Sequence, residues 1–362
     1  MITGLIPGDK TPVYYIYGSS AFGWSEEGSF VPPPIKSADT AVQIILTADV
    51  GMTEYEEGVV NVYYMPDSGT TLQLMNAQAF SGTGYDYSLV LHSGDLVYAM
   101  GYLLKWELMM SKLTSLGLGT RVPYIVNQGN HERDYPDSGA GSSLYPTSKD
   151  SGGECGVATE LRFPTAMAPV DDKGDDGWYS FIHGPLKIIM LNTEASINAS
   201  SLQYQFLKST LASVDRNFTP WVIVSGHRPM YYVYSKGGKI DPVYQVIEEL
   251  LYLYEVDLVV GAHVHNTFAS CPVYNGTCFA PMTKGGYDAP VYVGIGNGGA
   301  QLDLVGNSTN TPSWVRYQAS EHGFNTLQAN ATNLQMFWHS DIDVNSNKVR
   351  FVLDIERNFP RS

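Results

Sequence analysis

The chain has 362 residues and a formal net charge of −15, with 36 acidic residues against 21 Lys and Arg. Because binding to a nucleic-acid backbone needs clustered Lys and Arg, and the sequence has no basic stripe, this balance argues against a nucleic-acid partner. The apolar fraction of 44% can bury one large α/β domain or two smaller ones, and no apolar run is long enough to cross a membrane.

The first 38 residues resemble an incomplete β segment. Two apolar runs, 13–17 and 28–31, predict strands on either side of a turn at 22–24, and three prolines at 32–34 then form a stiff linker. Because two strands rarely form a stable unit in water, we expect this segment to pack on the main domain or to complete a sandwich. We therefore predict a domain boundary near residue 38, followed by one domain over residues 39–362.

From residue 42 onward, strand-like runs alternate with helix-like runs. The sequence predicts strands at 42–48, 89–91, 122–126, 187–191, 221–224, 257–260 and 290–295, and antiparallel strands between 324 and 353. It predicts a helix over 102–116 with Leu103, Trp106, Met110 and Leu113 on one face, a second around 202–211, and a third that Asp241 begins. Residues 134–177, rich in Gly, Ser, Pro and Asp, predict a long loop. This order favours an α/β domain built on mixed sheets.

Five of the predicted strands lead into residues that can bind a metal ion. Strand ends that are distant in sequence can converge at one edge of a sheet, so we expect these side chains to meet. Seven candidates are too many for one ion and fit two ions that share a bridging carboxylate, for which Asp95 is the candidate. The candidate ligands are Asp49, Asp95, Tyr98, Asn130, His227, His263 and His265.

The residue types indicate which ions would bind. Asp95 and Tyr98 form an anionic, all-oxygen pair that suits trivalent iron better than soft metals. His263 and His265 point to the same side of an extended chain, so that each could serve one ion. A single His after a strand is more often a structural residue, and Asp49 or Asn130 alone could be turn residues. The recurrence at five strand ends is what favours a metal pair.

The remaining histidines are assigned to structural roles. They are His92, His183, His322 and His339.

The cysteines and the Asn-x-Ser/Thr triplets favour the secretory route, so we expect a secreted or extracellular glycoprotein. Cys271 and Cys278 flank a turn-like segment and could close a small disulfide loop, whereas Cys155 is left over. Buried reduced thiols are the alternative for all three. The triplets begin at Asn198, Asn217, Asn275, Asn307 and Asn330, and Pro220 directly follows the second of them.

The same strand ends carry a family resemblance. In chain order they resemble the five motifs of the purple acid phosphatases: Asp49-x-Gly51, Gly94-Asp95-x-x-Tyr98, Gly129-Asn130-His131-Glu132, Val224-x-x-His227 and His263-x-His265. The segments 151–157, 226–231 and 271–274 are similar to the large, plant-type branch. In that branch a fibronectin-III-like β domain precedes the catalytic domain, and residues 1–38 resemble its closing strands. The resemblance implies a metallophosphoesterase fold, in which two packed mixed β-sheets are flanked by helices.

The resemblance also implies an activity and its ligands. Ferric iron would bind Asp49, Asp95, Tyr98 and His265, and the bond from the tyrosinate would give colour. A divalent ion (zinc, manganese or iron) would bind Asp95, Asn130, His227 and His263. The protein would then be an acid phosphatase acting on a small phosphorylated substrate, hydrolysing a monoester with a water activated by the metal ions. His131 would hydrogen-bond the phosphate or protonate the leaving oxygen.

Several departures from the family pattern leave alternatives open. Ala262 stands where the family often has Gly, and Ala195 follows Glu194 where relatives often have His. Lys236 and Gly237 occupy positions where many members have one or two His, and Lys236 could supply positive charge there. One alternative is an extracellular structural or binding glycoprotein that keeps the fold but has little activity. Another is a diesterase or nucleotide hydrolase.

Overall fold

The computed structural model describes residues 3–52, 65–82, 86–136, 148–164, 177–279, 285–307, 309–343 and 349–357. Within these ranges, two mixed β-sheets pack face to face and helices cover their outer faces. This is the predicted α/β arrangement of two packed sheets flanked by helices. No helix in the described ranges has both the length and the apolar character that crossing a membrane requires.

The first sheet contains six strands in the described residues and joins both ends of the main domain. Three parallel strands from the N-terminal half lie beside three antiparallel strands from the tail, as the alternating pattern after residue 324 predicts. Across the sheet the order is Val349–Glu356, Asn333–Ser340, Gly323–Ala329, Val42–Thr47, Val90–Ser93 and Tyr124–Asn127.

The second sheet contains eight strands in the described residues, with four parallel strands at its centre. Across the sheet the order is Thr277–Cys278, Thr267–Tyr274, Val291–Ile295, Leu258–Gly261, Trp221–Ser225, Leu186–Met190 and Tyr179–His183, and Val315–Ala319 also pairs with Thr267–Tyr274. A separate hairpin joins Tyr231–Tyr234 to Gly237–Ile240.

Helices lie on the outer faces of both sheets. They run over Ser68–Ala79, Leu103–Ser115, Val157–Arg162, Leu202–Ala212 and Glu248–Leu253, with 3₁₀ turns at Gln245–Ile247 and Asp341–Asp343, and one short helix, Asn130–Arg133, lies instead at the end of the strand Tyr124–Asn127.

The core follows from the alternation of side chains along the strands. On the strand Val42–Thr47, Ile44 and Leu46 point between the sheets and join a cluster with Ile223 of the second sheet. Ile45 points the other way and packs with Trp106 of the helix layer. Because both faces of the central strands are buried, their sequences are nearly continuous apolar runs rather than alternating ones.

Two of the predicted helices need correction. In the helix Leu103–Ser115, Trp106 and Leu113 are buried as expected, but Met109 rather than Met110 lies between them, and Leu103 is 59% exposed. Asp241 does not begin a regular helix: its carboxylate accepts a bond from Val243 N at 2.9 Å, and a turn and the 3₁₀ segment Gln245–Ile247 follow. The α-helix in this region begins at Glu248.

The predicted loop over 134–177 also needs correction. The helix Val157–Arg162 lies within it. Residues 137–147 and 165–176 lie outside the described residues.

The N-terminal segment contacts the main domain. Val13–Tyr15 pairs antiparallel with Gly28–Phe30, and Tyr15 Oη donates to Thr120 O at 2.6 Å. Gly23–Trp24 forms a two-residue strand with Gly18–Ser19, where the sequence predicted a turn alone. The domain boundary near residue 38 stays a prediction.

The two paired cysteines lie on neighbouring strands. A disulfide joins Cys271 to Cys278, which confirms the predicted small loop. Cys155 is half-buried and forms no disulfide within the described part of the chain.

Candidate metal centre

The candidate ligands lie where the central strands of both sheets end. Asp49 and Asp95 follow neighbouring parallel strands of the first sheet, and Asn130 follows the third. His227 and His263 follow neighbouring parallel strands of the second sheet. Parallel strands place their carboxyl ends at one edge, and the packing of the two sheets brings these edges together.

The loops that carry the candidate ligands have unusual backbone conformations. Asp49, Asp95, Tyr98 and His263 have φ values of 53°, 48°, 54° and 64°, in the left-handed region that residues with a Cβ seldom adopt. Each such residue costs on the order of 1 kcal/mol or more and persists only where its surroundings fix it. Backbone strain of this kind is concentrated at functional sites, which supports a functional interpretation of this edge.

Two glycines allow the loops to approach the candidate ligands. A Cβ at Gly94 would lie 2.6 Å from His227 Nδ1, and a Cβ at Gly129 would collide with Asp95 Oδ1. Larger residues at these positions would therefore push His227 and Asp95 out of place. The Gly-Asp and Gly-Asn pairs in the sequence thus have a steric reason.

The first group of donors contains Asp49, Tyr98 and His265. Tyr98 Oη lies 3.0 Å from Asp49 Oδ1 and 2.9 Å from His265 Nε2, and that nitrogen lies 3.3 Å from Asp49 Oδ1. Asp49 and Tyr98 are almost fully buried. We call these three residues the first half of the cluster.

The second group contains Asn130, His227 and His263. Asn130 Oδ1 lies 2.9 Å from both His227 Nε2 and His263 Nδ1. All three side chains are neutral when they bind a cation, whereas the first group contains two acidic side chains. We call these three residues the second half of the cluster.

Asp95 lies between the two halves and is buried. Its Oδ2 is 3.2 Å from His227 Nε2, and its Oδ1 accepts a bond from His131 N at 3.0 Å. The donor atoms of Asp95, His227 and His263 all lie within 4.8 Å of one another, and so do those of Asp49, Asp95 and His265. One carboxylate is thus shared by two potential cation sites.

Hydrogen bonds from main-chain carbonyls set the orientation of two histidine rings. His227 Nδ1 lies 3.0 Å from Ser93 O, and His265 Nδ1 lies 2.8 Å from Gln301 O. A carbonyl oxygen only accepts, so each Nδ1 carries the proton and each Nε2 faces the cluster. This is the arrangement by which protein groups orient histidines that bind metals.

The electrostatics of the cluster favour cations. Burial alone lowers the pKa of His227, but the charge and hydrogen bond of Asp95 outweigh it and raise that pKa to about 10. Burial also opposes charge on His265, yet the hydrogen bond and charge of Asp49 raise its pKa to about 9. Burial and the charges of Asp49 and Asp95 raise the pKa of Tyr98 well above its usual value. The same negative field that retains these protons attracts metal ions.

The donor set fits a pair of ions of different character. Carboxylate and phenolate oxygens dominate the first half and suit a hard trivalent ion, whereas two imidazoles and an amide oxygen suit a divalent ion such as zinc. Ligand oxygens and ring nitrogens face each other at hydrogen-bond distance in both halves. The residues present therefore fit a dinuclear metal centre.

The backbone between the last two histidines differs from the prediction. An extended segment over 263–265 was expected to place both rings on one side, but this segment bends and His263 has a positive φ. The two rings still reach different halves of the cluster, His263 the second and His265 the first.

His131 adjoins the cluster without joining either group of donors. Its ring centroid is 4.2 Å from that of Tyr98, its Nε2 is 4.0 Å from Asp95 Oδ2, and its Nδ1 is 3.1 Å from Asp150 O. Burial lowers the pKa of His131 and so favours the neutral ring. Its Nε2 therefore faces the cluster with a lone pair when Nδ1 donates to the carbonyl.

Several charged residues of the site were not predicted, because they act through contacts distant in sequence. Arg228 bonds Glu194 through Nε at 2.9 Å and Asp134 through Nη2 at 3.1 Å, while its Nη1 lies 3.0 Å from His263 Nε2. Burial and the charge of Glu194 raise the pKa of Asp134 to about 8. The sequence offered only one hint, the position of Arg228 directly after a candidate ligand.

Two acidic residues hold the candidate loops from behind. Glu132 accepts bonds from Leu96 N at 2.8 Å and Gly129 N at 3.0 Å, which ties the two loops together. Asp150 accepts a bond from Asn130 Nδ2 at 3.0 Å. The sequence placed Glu132 in a motif but gave no role to Asp150.

The histidines assigned to structural roles make local contacts. His92 bonds Tyr124, His183 bonds Ser88 and His339 bonds Thr326 through their side chains. His322 pairs with Asp67 and with Ala300 O.

Comparison with known proteins finds two matching family models and a solved structure of the same fold. A family model described as calcineurin-like phosphoesterase matches residues 42–267, and one described as iron/zinc purple acid phosphatase-like protein C matches residues 289–350. The structure of purple acid phosphatase PPD1 from yellow lupin (Lupinus luteus) seeds superposes with a TM-score of 0.85 at 28% identity. That match covers 99% of this chain and 61% of the lupin chain.

Two curated relatives show the range of names in this group. Probable inactive purple acid phosphatase 27 of Arabidopsis thaliana is 33% identical over 84% of this chain and 49% of its own length. A nucleotide pyrophosphatase/phosphodiesterase of Hordeum vulgare is 30% identical over 84% of this chain and 81% of its own length. The chain spans about half the length of the Arabidopsis relatives numbered 27, 1 and 24.

Proposed function

Since this chain belongs to the purple acid phosphatase family within the calcineurin-like phosphoesterases, we propose that it is an acid phosphatase that hydrolyses small phosphate monoesters with two metal ions. The observation that carries the proposal is the convergence of two groups of metal-binding atoms on one shared carboxylate, Asp95. A pair of cations held by a common carboxylate is an established arrangement for hydrolysing phosphate esters.

The proposed ligands follow the two halves of the cluster. Asp49, Tyr98 and His265 with Asp95 would hold ferric iron. Asn130, His227 and His263 with Asp95 would hold a divalent ion, for which zinc, manganese or iron are the candidates. When bound, the two ions would supply positive charge to the phosphate oxygens and lower the pKa of water.

The protein's own groups then position the substrate and move a proton. His131 has its Nδ1 against Asp150 O and its Nε2 toward Asp95, so Nε2 is the atom that would contact a bound phosphate or the leaving oxygen. The nearby ring of Tyr98 limits how far this imidazole can turn. Of the two candidates that the sequence offers, His131 adjoins the cluster, so we assign leaving-group protonation to its charged form, in which both ring nitrogens carry a proton.

A second candidate is the hydrolysis of a phosphodiester or a pyrophosphate. The name of the barley relative favours it, since this chain covers most of that protein. The rival hypothesis of an inactive structural glycoprotein agrees with the names of the Arabidopsis relatives. Against it stands the complete set of seven candidate ligands in this chain.

The surface supports a secreted glycoprotein. The asparagines of all five Asn-x-Ser/Thr triplets are exposed, and the disulfide between Cys271 and Cys278 agrees with an oxidising compartment. We therefore propose secretion, with glycans on some of these asparagines.

The test combines metal analysis with turnover. The purified protein is examined by elemental analysis and visible absorption, and then assayed with a phosphate monoester, a diester and a nucleoside pyrophosphate. Asp95→Asn keeps the shape of the side chain but removes the charge shared by both sites, so we expect a loss of turnover beyond the roughly 10–100-fold typical of residues behind a ligand. Asp215→Asn, at an exposed aspartate before the strand Trp221–Ser225, is the matched control.

The outcomes separate the hypotheses. Two metal ions per chain with monoester turnover, lost in Asp95→Asn and kept in Asp215→Asn, would support the proposal. Turnover confined to the diester or pyrophosphate would favour the second candidate. Bound metal without turnover on any of the three substrates would favour the structural role.

A further inference from the structure

We propose that Asp150 is a positioning residue that fixes the amide of Asn130, so that its oxygen rather than its nitrogen faces the second half of the cluster. This inference rests on the proposed function, because it concerns how one of the two cation sites is prepared. Asp150 lies twenty residues after Asn130 in a part of the chain that no ligand motif includes.

The argument begins with the two ends of an amide group. Asn130 Nδ2 can only donate a hydrogen bond, and its Oδ1 can only accept one. The ionised carboxylate of Asp150 can only accept, and its Oδ2 lies 3.0 Å from Asn130 Nδ2. This contact therefore turns Oδ1 toward His227 Nε2 and His263 Nδ1, both at 2.9 Å.

The opposite orientation would work against a cation. If the amide turned by half a rotation, Nδ2 rather than Oδ1 would face the ring nitrogens, and an amide nitrogen has no lone pair to offer a metal ion. Its oxygen would then face the carboxylate of Asp150, and two acceptors at that distance repel each other. Asp150 thus disfavours a side-chain state that competes with the cation.

Asp150 is itself held in place. Ser148 Oγ donates to its Oδ2 at 2.6 Å, and Ser151 N donates to Asp134 O at 3.0 Å. A few residues on, Glu154 accepts bonds from Gly101 N at 2.9 Å and Trp106 Nε1 at 2.8 Å. The Glu154 contacts anchor the segment 148–155 to the chain that follows Tyr98, and the Ser151 contact anchors it to Asp134.

The same residue contacts the neighbouring imidazole through its main chain. His131 Nδ1 lies 3.1 Å from Asp150 O, so one loop residue orients both the proposed amide ligand and the residue after it. A side-chain substitution at Asp150 removes its contact with Asn130 but keeps the main-chain carbonyl that contacts His131. The effect on Asn130 can therefore be measured separately.

The test measures divalent-ion affinity rather than turnover. Zinc is titrated by calorimetry into the iron-loaded full chain of the wild type, Asp150→Ala, Asp150→Asn and Lys149→Ala. We expect Asp150→Ala to weaken zinc binding by about 10–100-fold, the usual effect of removing a group that orients a ligand. Asp150→Asn keeps an oxygen that can accept from Asn130 Nδ2, so its loss should be much smaller. Lys149→Ala, at an exposed neighbour, should bind zinc as the wild type does.

The iron absorption band and the thermal unfolding of the metal-free protein serve as internal controls. The iron band should be unchanged in Asp150→Ala, since the first half of the cluster does not contact this side chain in the described residues, and the metal-free variant should still unfold in one cooperative transition. Zinc binding as tight as in the wild type would overturn the inference. So would equal losses in Asp150→Ala and Asp150→Asn, or a loss of iron or of folding together with zinc. If the wild type itself bound no metal, the proposed function would fail first, and that result is distinct from all of these.

Discussion

The two halves of the cluster share Asp95 but are supported differently. In the first half, main-chain groups hold the functional atoms: His263 N donates to Asp49 Oδ2 at 3.0 Å, and Gln301 O lies 2.8 Å from His265 Nδ1. In the second half, charged side chains contact two of the three ligands: Asp150 accepts a bond from Asn130, and Arg228 donates one to His263.

This difference has chemical consequences. Main-chain groups change little when a side chain is substituted, so the first half should tolerate changes around it. Arg228 donates to His263 Nε2, which places the ring proton on Nδ1, so this ring must move its proton before Nδ1 binds a cation. The second half should therefore respond to substitutions at residues that touch no substrate.

Apart from substitutions at Asp95, the largest loss of folding stability should come from Arg228→Met. The substitution leaves the buried carboxyl groups of Glu194 and Asp134 without their guanidinium partner, and breaking a buried pair in this way costs about 3–5 kcal/mol. Chemical unfolding of the metal-free protein measures the loss. Arg162→Met removes a more exposed contact with Glu107 and should cost only about 0–1 kcal/mol. Equal losses in the two variants would contradict the reliance of the second half on charged side chains.

An intermediate loss of folding stability should come from protonation of His183. This residue lies outside both halves and serves as a reference for them. Burial lowers its folded pKa from 6.5 to about 4, so its stabilising contribution is present above pH 6.5 and is lost as the pH falls toward 4. At 1.36 kcal/mol per pKa unit, the loss amounts to about 3 kcal/mol.

The measurement is the free energy of unfolding of the metal-free protein between pH 7 and pH 4. In His183→Gln, which retains a polar group near Ser88, the pH dependence should be weaker by that amount. An identical pH profile for the two proteins would rule out this source of acid sensitivity.

The smallest effect on folding should come from Tyr98→Phe in the first half. The change removes a buried hydroxyl but leaves Asp49 and His265 3.3 Å apart, so unfolding of the metal-free protein should lose only about 1 kcal/mol. The visible absorption of the iron-loaded protein should disappear, because no tyrosinate remains. A colour that persists would remove Tyr98 from the proposed ligand set.

The sequence predicted most of the fold because the signals it uses are local. The central strands are apolar runs that lead into Gly, Asp or His. The two-sheet arrangement was predicted from the order of the five motifs, which resembles that of one family. Thr267–Tyr274 and Val315–Ala319 were not predicted as strands. The first contains Pro272 and a register shift, and the second has no buried alternating face, so neither carries a clear strand pattern.

The candidate ligands could be predicted from sequence, but their supports could not. Asp49 and His263 closely follow short apolar runs in the sequence, whereas the partnership of Arg228 with Glu194 joins residues separated by 34 positions. Met109 illustrates the same limit within one helix. Both it and Met110 fit the helical spacing between Trp106 and Leu113, and only three-dimensional packing selects Met109.

The cluster draws its members from both sheets, and this has a mechanical consequence. Asp49, Asp95, Tyr98 and Asn130 lie on the first sheet's loops, and His227, His263 and His265 lie on those of the second. Each cation would thus link the two sheets, since it would lose ligands if the sheets separated. Chelation should then loosen the whole sandwich cooperatively, and reloading should restore its rigidity without any new contact between the two layers.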